Sequence, residues 1–283
     1  MTYDPSLDLI DLALREDLSL GDITSESTVP AGRQATATML AKQDGVISGM
    51  ETAQAVFSRV DPTVIFEALV ADGDRVTRGT PLATITGNAR SILAAERTAL
   101  NLIQRLSGIA TVTSIYAERV KGTNASVIDT RKTTPGMRYL EKAAVRHGGG
   151  RNHRYNLGDA VLIKDNHLAA IGGPTPIRDA VLAAKQRAPH TSKVEVEVVD
   201  MAGVQEALGA GADIIMLDNM SPDDMRQAVA IIDGRALVEA SGGITLETIG
   251  DVARTGVDLI SCGALTHSAP SLDISLDFAL DAS

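Results

Sequence analysis

The sequence predicts an α/β protein: a parallel sheet in the second part of the chain, preceded by a smaller β-rich part. Three observations lead there. Short β-branched runs alternate with Ala/Leu-rich segments of helical spacing. The runs are continuously apolar, as strands covered on both faces must be. Each run ends in polar or small residues, the pattern of the active rim of a β/α barrel.

Taken in order, strands are expected at Ala35–Ala41, Gly45–Ser48, Val64–Val70 and Pro81–Gly87, with a helix at Glu51–Val60. Residues 71–87, ADGDRVTRGTPLATITG, resemble the turn-rich repeat of lipoyl- and biotinyl-type modules. No lysine stands at a hairpin tip there, so the segment reads as scaffold rather than as a carrier arm. Ala89–Gly108 predicts a long helix in which Arg90, Arg97 and Asn101 oppose Ile92, Leu102 and Leu106. Parallel strands follow at Ser126–Ile128, Ala160–Ile163, Val194–Val199, Asp213–Leu217, Ala236–Val238 and Val257–Ile260. Helices between them are expected at Ile177–Arg187, Met201–Gly209, Ser221–Ile232 and Thr245–Thr255. Ser221 and Thr245 provide N-terminal caps, and Gly209, Gly211 and Gly256 mark helix ends. Six or seven such strands make an incomplete barrel.

The chain of 283 residues is 44% hydrophobic and carries a formal charge of −10. Aromatics make up 2%, so neither base-stacking platforms nor a broad basic footprint is available, and nucleic acid is not an expected partner. One cysteine, Cys262, rules out an intramolecular disulfide and a multi-cysteine metal site. No basic-then-apolar leader and no membrane-length apolar stretch is visible, which predicts a cytoplasmic protein without membrane partners.

Against that acidic background, Asp129–Lys164 holds eight Lys and Arg residues: Arg131, Lys132, Arg138, Lys142, Arg146, Arg151, Arg154 and Lys164. A basic island in an acidic chain focuses a field on a compact polyanion. Arg131 and Lys132, directly after a strand, fall at the barrel rim with Thr130. Arg offers a bidentate fork for carboxylate or phosphate and Lys a point charge. His153, Arg154 and Lys164 extend the set. Lys193, Glu195 and Glu197 alternate with valines, so period two directs all three inward. Buried carboxylates need cations or metal beside them, and Lys164 and Lys193 are the candidate partners. Glu197 and Asp218, near the ends of neighbouring strands, are candidates for ribose hydroxyls or Mg²⁺. Ser241-Gly242-Gly243 and Cys262-Gly263-Ala264 each join a strand to a helix, with His267 nearby, and suit a phosphate monoester. Cys262 has no base beside it in the pattern, and no serine sits in an elbow motif.

The motifs TRKTTPGMR, AVRHGGGRNHRYNLGDAVLIKDNH, EVEV, LDNM, EASGGI and CGALTHS, in this order, resemble the quinolinate phosphoribosyltransferases. REDLSLGDITS and ERTALNLIQRLSGIAT extend the likeness over nearly the whole chain. The resemblance implies an N-terminal open-faced α/β sandwich over 1–108 and a partly open α/β barrel of about seven strands over 109–269. The tail 270–283 is implied to return to the first domain. It further implies transfer of phosphoribose from phosphoribosyl pyrophosphate to quinolinate, with Mg²⁺, giving nicotinate mononucleotide, pyrophosphate and CO₂. Homodimers or larger assemblies with shared active sites are implied as well.

Carried over by motif, Thr130, Arg131, Lys132, His153, Arg154 and Lys164 would hold quinolinate and the pyrophosphate, with Arg97 reaching in from a partner subunit. Lys132, Glu197 and Asp218 would be catalytic. Glu197 and Asp218 would face ribose or Mg²⁺, and Glu197 is chosen over Glu195 by its place in EVEV. Ser241, Gly242, Gly243, Cys262, Gly263, Ala264 and His267 would hold the 5′-phosphate. A sister phosphoribosyltransferase acting on nicotinate or another acid, or the homologue encoded beside molybdate transporters, is the alternative. The full cation set favours a dicarboxylate.

Overall fold

The computed structural model describes residues 5–279. In chain order the first elements are α1 (Pro5–Leu18), α2 (Ile23–Thr28), β1 (Gln34–Ala41), β2 (Gly45–Val46) and α3 (Met50–Val60). Then come β3 (Ile65–Ala68), β4 (Arg75–Val76), β5 (Pro81–Asn88), α4 (Ala89–Arg119), β6 (Ser126–Ile128) and α5 (Arg138–His147). The middle of the chain holds β7 (Val161–Ile163), α6 (Asp165–Ile171), α7 (Pro176–Arg187), β8 (Val194–Val198), α8 (Met201–Gly209) and β9 (Ile214–Asp218). Last are α9 (Pro222–Ile232), β10 (Leu237–Ser241), α10 (Ile249–Ala253), β11 (Leu259–Ser261), α11 (Ala264–His267) and β12 (Ile274–Phe278). They fall into two compact units. One holds residues 5–114, 133–149 and 265–279, and the other 115–132 and 150–264.

The first unit is built on an antiparallel sheet of order β12-β1-β5-β3, with β2 and β4 pairing separately. Alternation decides its faces. Ala37, Met39 and Ala41 on β1 are buried, while the residues between them are less covered. The buried side chains form one core with Leu82 and Ile85 of β5, Val56 and Phe57 of α3, and Ile92, Ala95 and Ile103 of α4. This is the open-faced sandwich that the resemblance implies.

Helix α4 runs for 31 residues and does not stop at Gly108 as its composition suggests. The glycine serves a close approach instead. A Cβ at this position would lie 1.9 Å from the Pro270 carbonyl oxygen. The returning chain is tied along α4 by Leu272 N–H to Gln104 O (2.9 Å), Gln104 Nε2 to Ile274 O (2.7 Å) and Arg105 Nη1 to Ala269 O (2.9 Å). It then pairs with β1, Met39 opposite Leu276. Residues 280–283 of the expected tail lie outside the described residues.

Helix α5 is absent from the sequence reading, which took its stretch as part of one basic surface. Leu140, Ala144 and Val145 are buried on it. Glu141, fully buried, meets Arg105 Nη2 at 3.0 Å and accepts from the Thr134 backbone and hydroxyl. Lys142 is buried in the same unit.

The second unit contains a parallel sheet of order β6-β11-β10-β9-β8-β7. Among the described residues it has six strands, within the six or seven that the sequence predicts. Where a further strand would continue beyond β6, the chain makes a single bridge, Ile128 to Arg151. The reason is local: Asp129 Oδ2 takes the Asn152 side-chain amide and Oδ1 the His153 N–H, turning the chain away after one residue. Residues following β6 and β7, the two ends of the sheet order, line one cavity, so the sheet is rolled into a partly open barrel. Ser221 caps α9 and Asp200 caps α8 through backbone N–H groups. Helix α10 begins only at Ile249, because Thr245 and Thr248 spend their hydrogen bonds on a preceding turn.

Gly108→Ala should lower the unfolding free energy by about 3 kcal/mol, at the upper end of ordinary overpacking because the clash is with backbone. Urea unfolding of the full chain measures it.

Candidate active site

The sheet positions the site by ending its strands together. A cavity of about 310 Å³ is walled by Thr130, Arg131 and Lys132 after β6, His153 and Arg154 from the following loop, and Lys164 after β7. Leu162, Met216 and Glu239 form its deeper part, with Ser241 and Ser261 at the ends of β10 and β11. Of the eight cations in the basic run, four meet here. Arg138, Lys142 and Arg146 lie on α5 in the other unit, and Arg151 is exposed. The interruption is covalent in origin: a helix has been inserted between the two halves of the cation set.

The guanidinium groups are partly buried and oriented by the fold. Arg154 Nη1 donates to Ala160 O at 3.0 Å, which anchors the fork. Its Nε, like that of Arg131, is buried and makes no hydrogen bond. Burial, with the nearby Arg131 charge, pushes the Arg154 guanidinium below its ordinary pKa. Lys164 Nζ donates to Glu197 Oε2 at 2.6 Å, so the sequence's pairing of inward acid with barrel lysine is realised. Lys193, the other proposed partner, is exposed.

Under the cations lies a group the sequence reading undervalued. Glu195 and Glu239 are 3% and 1% exposed, and His153 Nε2 stands 3.2 Å from one and 3.7 Å from the other. The Arg154 backbone N–H donates to His153 Nδ1 at 2.7 Å. That leaves the ring proton on Nε2, directed at Glu195. The ligand atoms of this trio are close enough for a metal, within 4.8 Å of one another. The tautomer argues otherwise: a metal at Nε2 would need the proton on Nδ1, facing another N–H. Burial, and next the charge of Glu195, hold the Glu239 carboxyl well above the usual carboxylate range, so Glu239 is kept as the acid. Glu239 was visible in EASGGI. Its signal was one carboxylate in an otherwise apolar strand, two residues before Ser241 and so on the same face.

The remaining expected residues are distributed as follows. Asp218 ends β9 opposite Ser241 and accepts from Asn219 Nδ2 at 2.9 Å. Gly242 has φ +90°, and a Cβ there would meet the Asn219 carboxamide at 2.4 Å, so the turn requires glycine. Gly243 follows in the same turn. Asp218, Glu197, Gly242, Gly243 and the Cys262-Gly263-Ala264 turn lie outside the wall of the 310 Å³ cavity. His267, exposed, and Arg97, on α4, both belong to the first unit. Arg90, grouped with Arg97 by helical phase, is instead structural: its guanidinium binds Val29 O and Glu26 O.

Residues 22–107 match the description "Quinolinate phosphoribosyl transferase, N-terminal domain", and 109–277 its C-terminal domain. The chain belongs to the quinolinate phosphoribosyltransferase family. It is 46% identical over 281 residues to the nicotinate-nucleotide pyrophosphorylase [carboxylating] of Mycobacterium leprae, covering 97% of this chain and 98% of that one. It is 43% identical to quinolinate phosphoribosyltransferase [decarboxylating] 1 of Nicotiana glauca, covering 96% and 83%. The solved nicotinate-nucleotide pyrophosphorylase of Francisella tularensis superposes with a TM-score of 0.91 at 39% identity, covering 98% and 96%. The human nicotinic acid phosphoribosyltransferase shares the fold alone, with a TM-score of 0.61 at 12% identity.

Cys262 is buried, and burial followed by the charge of Glu239 pushes its thiol up to about 12. The folded family member should therefore not react with a disulfide thiol reagent at pH 8, and should react fully once unfolded. Absorbance of the released thiolate checks this.

Proposed function

We propose that this chain joins quinolinate to phosphoribosyl pyrophosphate, releasing pyrophosphate and CO₂ and forming nicotinate mononucleotide for NAD synthesis. The observation that carries it is the gathering of Arg131, Lys132, Arg154 and Lys164 on one cavity, with two buried guanidinium nitrogens unpartnered. Such a wall suits a planar dicarboxylate beside a pyrophosphate better than a monocarboxylate.

The residues act chiefly by position and field. Arg131 and Arg154 offer forked N–H groups to the two carboxylates, and Lys132 and Thr130 face the same ligand. His153, with both ring nitrogens engaged by Arg154 N–H and Glu195, aims Arg154 and does not supply a free cation. Lys164 divides its charge between Glu197 and the cavity. Glu197 and Asp218 are assigned to the ribose hydroxyls and to the positive charge that develops at the anomeric carbon. The Ser241-Gly242-Gly243 and Cys262-Gly263-Ala264 turns, with His267, are assigned to the 5′-phosphate. Glu197 and Asp218 would hold Mg²⁺, which would supply positive charge to the pyrophosphate leaving group. Glu197 and Asp218, on neighbouring strands, fit an ion that takes one or two carboxylates and completes its shell with phosphate and water. Bond formation at the pyridine nitrogen makes the ring an electron sink for loss of the adjacent carboxylate.

The assembly we propose is a homodimer or larger, in which Arg97 of a second copy completes the cation set. The Arg97 side chain is 60% exposed and 3.9 Å from Glu96, which leaves its guanidinium available. No helix among the described residues is long and apolar enough to cross a membrane. A cytoplasmic setting accords with the acidic composition and the single, buried cysteine.

Incubation with Mg²⁺, phosphoribosyl pyrophosphate and quinolinate should give nicotinate mononucleotide and CO₂, while nicotinate should give no product. Turnover of nicotinate alone would identify the sister activity, and turnover of neither would refute the enzyme. For the shared site, Arg97→Ala and Lys132→Ala should each be inactive. Mixing them under conditions of subunit exchange should restore turnover that neither shows alone. A mixture as inactive as its parts would refute sharing.

A further inference from the structure

Two cavities open into the rolled sheet of the second unit. The substrate cavity lies at the C-terminal ends of the strands. The other, also about 310 Å³, lies toward their beginnings, against Lys193 before β8, Ile214 at the start of β9 and Leu259 at the start of β11. His153, Arg154 and Glu239 border both cavities. Glu239 thus lines a cavity at the C-terminal ends of the strands and a second one toward their beginnings.

The overall reaction requires a proton at a particular atom. When the C2–carboxylate bond breaks and CO₂ leaves, its electron pair stays on C2, and the product has hydrogen there. Of the lining residues, Leu162, Met216 and Glu239 lie in the middle of their strands, and of these only Glu239 can donate. Its Oε1 is buried and makes no hydrogen bond, so one carboxyl oxygen has no protein partner. The groups facing it are Lys164 after β7, Glu195 from β8, Ser261 at the end of β11 with Cys262 just after it, and His153 from the loop between α5 and β7. A second ionised acid under a dianionic substrate would oppose binding, whereas a protonated one does not.

We propose that Glu239 is the acid that protonates C2 after decarboxylation, and that the lower cavity restores its proton while substrate fills the upper one. In the step, the C2 electron pair takes the carboxyl proton of Glu239, a C2–H bond forms, and Glu239 becomes a carboxylate. Water entering from the Lys193 side returns one proton, so each cycle consumes one proton and releases one CO₂. Glu195 and His153 are positioning residues: Glu195 lies against Glu239, and His153 Nε2, 3.2 Å from Glu195, holds it in place.

The proposal rests on the quinolinate activity, and the test separates the two. In the full-length protein, Glu239→Gln keeps the shape and removes the acid. It should lower kcat about 10²-fold, the ordinary share of a general acid. The KM values for quinolinate and phosphoribosyl pyrophosphate, and quinolinate binding by calorimetry, should stay close to those of the parent. Glu239→Asp keeps a carboxyl one methylene shorter and should recover part of the lost kcat. A Glu239→Gln kcat within about twofold of the parent would overturn the proposal. So would a parallel loss of quinolinate binding, or a Glu239→Asp variant no faster than Glu239→Gln. If Glu239→Gln does not fold, Glu239→Asp decides alone: a reduced kcat at unchanged KM supports the acid, and an unchanged kcat removes it. A parent chain that releases no CO₂ would fail the function itself.

Discussion

The Asp129 carboxylate, wholly buried where β6 ends, accepts the Asn152 amide at 2.6 Å and the His153 N–H at 2.8 Å. It has to accept them, because a buried carboxylate without donors costs several kcal/mol. This one constraint ends the sheet at six strands and returns the chain toward the barrel interior. It places His153 over Glu195 and Glu239, and through the His153 ring it fixes the backbone of Arg154. Arg154, through His153, and Lys164, on Glu197, are therefore positioned with the help of acids.

That arrangement also explains how an acidic protein keeps a positive cavity. Four cations facing one space repel one another, and burial raises the cost further. Arg154 shows the strain in its lowered pKa. Relief comes from placing one ionised acid directly on a lysine, Glu197 on Lys164, and from leaving Glu239 protonated beneath the rest. Were both deep glutamates ionised, they would cancel much of the field intended for the substrate.

The parallel strands and their chemistry were legible because strand-end residues obey a simple alternation, and the EVEV run placed both acids inward as found. The helix α5 was not legible. Its buried face includes Glu141 and Lys142, whose charges break the apolar period, and pairing with Arg105 is a tertiary fact. Gly108 was ambiguous for a different reason: glycine serves equally to end a helix and to admit a crossing chain, and only the Pro270 carbonyl decides between them. The basic run looked like one surface because sequence proximity hid the helix that divides it. Among the residues lining the cavity, Arg131, Lys132, Arg154 and Lys164 were found by charge, whereas Glu239 needed the third dimension, since its meaning lies in its neighbours on β8 and in the loop between α5 and β7.

The same neighbours separate two roles that a motif cannot separate. In NHRY, His153 and Arg154 are adjacent and both basic, which suggests two cations for one anion. In the fold, the Arg154 N–H occupies His153 Nδ1, and Glu195 faces Nε2. The charge is thereby assigned to Arg154 and the orientation to His153. Glu195, the rival of Glu197 within the EVEV run, is the group that makes this division possible.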